Sequence, residues 1–176
     1  MPLAVTHVIL TLVTLSLYRH YIAKRTLHRG FVIVGGIAGL LPDLDFPVDW
    51  AISKVLHAPV HYHRVFTHAL IWPLLFVLIG FVLYVMRREM ITLLRWKVAS
   101  RTVATFFFVL AFGWFFHLFL DCSLQGDDGI SFIPIIAPAT FCLSILKGQE
   151  PIMLDAIVLV AWLIHEEYRH NIKEYI

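Results

Sequence analysis

His7, Asp43, Asp45, His63, His68, His117 and Asp121 stand in or beside the most apolar stretches of a 176-residue chain. Ionisable groups in such surroundings are costly, so each needs a compensating interaction. Neutral imidazole and carboxylate together are ligands for Zn²⁺ first, and also for Mn²⁺ or Fe²⁺. His117 and Asp121 are separated by four residues, about 40° around a helix, and share a face. Asp43-Leu44-Asp45 lies between Pro42 and Pro47, a break from which a short loop presents one carboxylate or both. His63 and His68 are separated by five residues, about 140° around a continuous helix, and converge only if a helix starts between them. Cysteine is missing from the set, which favours a catalytic over a structural zinc site. The set suffices for one ion, or for two bridged by a carboxylate. Arg64 and Thr67 sit between the two histidines. Arg64 suits the anionic oxygens of a phosphate, and Thr67 suits the orientation of a neighbouring ligand.

Each residue also has a plainer reading. His7 can be a core histidine bonded to a carbonyl, Asp43 and Asp45 can form a turn beside Pro42, and His117 and Asp121 can bond each other. Together these readings weaken, because several independent desolvation costs would then have accumulated in one place. His165-Glu166-Glu167-Tyr168-Arg169-His170 imitates the zinc-protease HExxH with one residue too many. Its neighbouring charges mark it as a polar tail.

The elements that must carry these residues are membrane spans. The chain is 60% hydrophobic and 15% charged, with a mean hydropathy of +0.81. Soluble domains average about 25% charged residues. A soluble domain, a disordered chain, a disulfide scaffold and a nucleic-acid module are all excluded. Apolar runs cover Pro2–Tyr18, Phe31–Leu41, Ala69–Met86, Val103–Leu120 and Ile152–Ile164. A bilayer core needs about 20 helical residues, so the first, third and fourth qualify. The second spans only by continuing through Pro42–Pro47, and the fifth only by borrowing from its flanks. Lys and Arg are absent before the first run and clustered after it, the reverse of a cleaved signal, so it is expected to persist as a helix. Gly35 and Gly39 allow a neighbouring helix to approach the second run. The expected fold is one domain over residues 1–176: an all-α, multi-pass, up-and-down transmembrane bundle of about five hydrophobic segments with short interfacial helices. Val48–His57 reads as one of those, and Ser131–Leu146, broken by Pro134 and Pro138, as a re-entrant or surface piece.

Arg19, Lys24, Arg25, Arg29, Arg87, Arg88, Arg95, Lys97 and Arg101 place nine of the fourteen basic residues in two loops. Positively charged loops stay cytoplasmic. The N-terminus and all seven His/Asp candidates are then expected on the extracytoplasmic side of the cell's inner membrane. Cys122 and Cys142 are in no metal-ligand spacing; they can pair in an oxidising compartment, but read first as small apolar fillers.

Thr6-His7, Pro42-Asp43-Leu44-Asp45, His63-Arg64-Val65-Phe66-Thr67-His68 and His117-Leu118-Phe119-Leu120-Asp121 occur in that order. Over roughly residues 3–140 the chain resembles the membrane-bound, metal-dependent hydrolases typified by YdjM and described as LexA-regulated. Their pattern is TH, PDxD, HRxxTHS and HxxxD. The resemblance implies a multi-pass helical protein with a metal site, loosely analogous to zinc-dependent phospholipase C and P1-type nucleases. The implied ligands are His7, Asp43, Asp45, His63, His68, His117 and Asp121. Ala69 stands where the family usually has Ser, and the stretch from Asp121 to Gly129 is longer and more acidic than the family's DSxTxYG. These departures bear on substrate contacts more than on metal binding.

The combined expectation is a membrane-embedded hydrolase using one or two divalent ions, zinc foremost. Asp45 or Asp121 accepts the proton of an activated water, and Arg64 holds a phosphate oxygen. The expected substrate is a phosphoester, lipid-linked by virtue of the site's depth, with the lipid bilayer as partner and no nucleic acid. The alternatives are a non-catalytic metal-binding protein, a structural or transport-associated bundle, and a membrane protease. Polar residues confined to one side argue against transport, and the lack of a correctly spaced HExxH or Ser/Lys pair argues against a protease.

Overall fold

A computed structural model describes residues 3–57, 66–86, 90–93, 96–124, 142–143, 145–146 and 149–170. It is helical apart from one hairpin. The order is α1 (Ala4–Leu17), α2 (Arg29–Ala38), α3 (Asp45–Leu56), α4 (Ile71–Val85), β1 (Met90–Leu93), β2 (Trp96–Ala99), α5 (Ser100–Leu124) and α6 (Glu150–His170). Every apolar run of the sequence therefore forms a helix, and α3 coincides with the short helix expected after Pro47.

By length and apolarity α5 alone among the described residues qualifies as a membrane-crossing helix, at 25 residues. The pair α2 and Leu41–Leu56 qualifies only jointly, bent by 47° at its break. This corrects the expectation of about five full spans. α1 has 14 residues and α4 has 15, short of the roughly 17–25 a simple span needs. α1 is prolonged by a π-helical turn, Tyr18–Ile22. The second run does not continue straight through Pro42. A 3-10 turn at Leu41–Leu44 intervenes, with Pro42 in its first positions, where a missing N–H is harmless. A further departure is the hairpin: β1 and β2 pair antiparallel, Met90 opposite Ala99 and Leu93 opposite Trp96. Residues 131–141, from the segment expected to be re-entrant, lie outside the described residues. The C-terminal stretch read as a polar tail continues α6 as far as His170.

The helices are apolar on the outside. Leu74, Leu78, Phe81 and Val85 form a helical stripe on α4, each more than half exposed, while Pro73 and Gly80 are buried. Met153, Ile157, Val160 and Ile164 repeat the pattern on α6. Such stripes contradict burial against water and match a hydrocarbon surround. Polar groups inside are satisfied locally. Thr11 and Thr14 hydroxyls donate to the carbonyls of His7 and Leu10 at 2.6 and 2.7 Å, returning to the helix's own backbone.

α2 lies between α1 and α5. A Cβ on Gly35 would reach within 2.0 Å of a Leu15 methyl on α1, and one on Gly39 within 3.3 Å of the His7 carbonyl. The close approach expected from Gly35 and Gly39 is thus made to α1. On the α5 side Gly113 is its counterpart, where a Cβ would lie 2.6 Å from the Gly35 carbonyl oxygen and 2.6 Å from the Ala38 Cβ.

Cys122 and Cys142 form a disulfide. This overturns their reading as apolar fillers. The bond closes the end of α5 onto the chain leading to α6, and the Leu146 N–H donates to the Leu124 carbonyl at 2.9 Å beside it. Sequence could not decide the matter, because twenty residues separate the cysteines and only the turn of the chain brings them together.

Candidate metal centre

His7 enters from α1, Asp43 from the 3-10 turn, His68 from the turn before α4, and His117 and Asp121 from α5. His117 is wholly buried, His7 is 1% exposed and His68 6%. Each imidazole is oriented through its Nδ1. His7 Nδ1 donates to the Leu3 carbonyl and His117 Nδ1 to the Gly39 carbonyl, both at 2.7 Å. Thr67 donates its hydroxyl to Asp45 Oδ2 at 2.6 Å, so its oxygen accepts from His68 Nδ1 at 3.0 Å. In neutral imidazoles each Nε2 is then a lone pair.

Those lone pairs face one another. His68 Nε2 and His117 Nε2 are 3.2 Å apart. Asp43 Oδ1 lies 3.5 and 3.4 Å from them, and Asp121 Oδ2 lies 3.4 Å from each. Ligands about 2.05 Å from a tetrahedral zinc stand about 3.3 Å apart, so each of these five separations is that of two ligands on one ion. The other Asp121 oxygen, Oδ1, is 3.2 Å from His7 Nε2, which makes no hydrogen bond despite full burial. Two carboxylates and three neutral imidazoles carry a net charge of −2, a burial cost that a divalent cation offsets. The residues present therefore fit a metal ion.

The polar backbone supporting this centre is also held. Trp114 Nε1 donates to the Thr67 carbonyl at 3.0 Å, and Trp72 Nε1 to the Phe66 carbonyl at 2.8 Å. The N-terminus of α1 is capped across helices. Asp155 of α6 accepts from the Thr6 N–H at 2.7 Å and from the Val5 N–H at 3.4 Å, a favourable place for a carboxylate.

Of the seven candidates, His7, Asp43, His68, His117 and Asp121 converge. Asp45 touches the group through Thr67. His63 and Arg64 lie outside the described residues. α4 begins at Ile71, after both histidines of the pair, rather than between them. Pro73 in its first turn fits this start. Trp114, Gly113 and the Leu3 and Gly39 carbonyls were not singled out from sequence. Trp114 and Gly113 do lie within about one turn of His117, the only signal available for them.

Residues 1–174 match the family described as YdjM inner membrane protein. The chain belongs to that family. Its place is accordingly the inner membrane, in agreement with the apolar outer stripes. No curated protein and no solved structure matches the chain. In this YdjM-family protein the TH, PDxD, TH and HxxxD motifs supply the five converging side chains.

Two expected results follow from the supports. Thr67→Val removes the bridge between Asp45 and His68 while keeping the volume, and should weaken metal binding about 10- to 100-fold in a chelator competition, with Thr67→Ser restoring it. Asp155→Ala should cost about 0.5–2 kcal/mol in unfolding. Asp155→Asn should recover part of that loss.

Proposed function

We propose that the protein is a membrane-embedded, metal-dependent hydrolase acting on a phosphoester, lipid-linked by virtue of where the site sits. The observation that supports this most is the convergence of three Nε2 lone pairs with two carboxylates in a buried setting. His68, His117, Asp43 and Asp121 would hold a divalent ion, zinc foremost and Mn²⁺ or Fe²⁺ otherwise, with His7 and Asp121 available to a second. A bound ion supplies Lewis acidity and lowers the pKa of its water. Asp121 serves as proton acceptor at Oδ1, from which the proton can be shared with His7 Nε2 at 3.2 Å. Asp45 holds Thr67, and through it the tautomer of His68. Arg64, two residues before the described turn begins, is assigned to a phosphate oxygen.

The full topology belongs to the same proposal: a multi-pass bundle whose short helices sit in a locally thinned or tilted arrangement. The metal centre faces the extracytoplasmic side. Two independent features favour that sidedness, the basic loops at the opposite end and a disulfide one residue beyond Asp121. Disulfides persist in oxidising compartments.

Metal-loaded protein assayed against phosphodiesters, phosphomonoesters and carboxyl esters tests the reading. Hydrolysis of a phosphoester that is lost in Asp121→Asn is the expected result. A protein that holds metal but turns over no ester would leave a binding protein and overturn the catalytic assignment.

A further inference from the structure

At the end of α5 remote from His117 and Asp121, α1, its π-helical turn, α2 and the first half of α5 border an open cavity of about 1120 Å³. Drug-sized ligands occupy roughly 300–1,000 Å³, so the space admits a larger amphiphile. Its floor is apolar, with Leu15, Phe31, Phe108 and Val109 among its walls, and its rim carries Arg101 and His28. Among the described residues no acidic side chain lines it. No carboxylate pairs with Arg101 among the described residues. His28 Nδ1 accepts from the Gly30 N–H at 3.1 Å, which leaves Nε2 as the ring's proton donor. Arg19 is held alongside by its Nε bond to the Leu27 carbonyl at 2.7 Å. Lys24, Arg25 and Arg29 stand in the same connecting segment, again without an acid.

We infer that this cavity binds one anionic phospholipid. An acyl chain fills the apolar floor, and the phosphate is held by the Arg101 guanidinium and the His28 ring. A guanidinium meets phosphate with two parallel hydrogen bonds, and basic pockets between membrane helices recognise anionic headgroups. A zwitterionic lipid offers the same chains but brings its own cation, which the Arg101 guanidinium disfavours. The site is separate from the metal centre and does not depend on its chemistry.

The full chain, purified in detergent and titrated with phosphatidylglycerol or phosphatidylcholine, is examined by native mass spectrometry. One phosphatidylglycerol should be retained at concentrations where phosphatidylcholine is stripped. Arg101→Gln should lower its affinity about tenfold, the loss of a charged bond worth roughly 1.4 kcal/mol. Thr105→Trp, which fills the cavity from α5, should remove retention of either lipid. The double substitution Lys24→Gln, Arg25→Gln, outside the cavity lining, should change little. Equal retention of the two lipids, or unchanged binding in both Arg101→Gln and Thr105→Trp, would mean annular lipid only and overturn the site. An effect of the Lys24/Arg25 pair as large as that of Arg101→Gln would assign the preference to general surface charge, and would overturn it too.

Discussion

His117→Ala protein, purified from membranes and analysed for zinc, manganese and iron, should hold less than about a tenth of the metal found in the unaltered chain. The expectation rests on position. His117 Nε2 is within 3.4 Å of His68 Nε2, Asp43 Oδ1 and Asp121 Oδ2, and it is the one donor shared by the close groups His7–Asp43–His117 and His68–His117–Asp121. Asp121→Asn should have a comparable effect, because both oxygens of that carboxylate face imidazole nitrogens. His165→Ala on α6 should leave metal content unchanged. The competing description is a set of histidinium–aspartate ion pairs needing no metal. It predicts negligible metal in the unaltered protein and no change across the series, and that result would falsify the metal centre.

Gly113→Ala tests the scaffold behind the centre. The added methyl would meet the Gly35 carbonyl oxygen and the Ala38 Cβ at 2.6 Å, and the Gly39 nitrogen at 3.0 Å. Two of those are backbone atoms that cannot rotate aside, so α5 and α2 must separate. Overpacking of this kind costs about 1–3 kcal/mol. The separation also draws the Gly39 carbonyl from His117 Nδ1, now 2.7 Å away, so metal content should fall along with thermal stability. Gly80→Ala is the matched control. There the first contacts are atoms of the Phe108 ring at 3.0 and 3.1 Å, which can turn toward lipid, and the nearest backbone atom, the Ala104 carbonyl oxygen, is 3.2 Å away rather than 2.6 Å. It should lose less stability and keep its metal. Equal metal retention in both variants would separate helix packing from ligand orientation and refute the link.

The sequence shows the site more clearly than the fold. Histidine and aspartate in oily surroundings are visible at once, since nothing else in an apolar helix justifies their desolvation. The i, i+4 geometry of His117 and Asp121 follows from helical pitch alone. Asp43 and Asp45 could not be told apart by such reasoning. Which carboxylate faces inward depends on the 3-10 turn at Leu41–Leu44 and on Thr67, twenty-two residues beyond Asp45. The carbonyls of Leu3 and Gly39 were invisible for the same reason, because every residue has a carbonyl and only tertiary placement selects one. Helix length was the weakest inference. Hydropathy registers that Pro2–Tyr18 and Ala69–Met86 are apolar, but not that ordered helix begins at Ala4 and Ile71, where local turns rather than side-chain polarity set the boundary.

Asp155 ties α6 to the first turn of α1, and this orders events during synthesis. All five converging side chains have been made by the time residue 121 is added. Yet the first turn of α1, which carries His7, keeps its amides uncapped until a carboxylate thirty-four residues further on arrives. Maturation of the centre is therefore tied to synthesis of α6, and a nascent chain stalled before it would present the motifs in full without the frame that steadies His7.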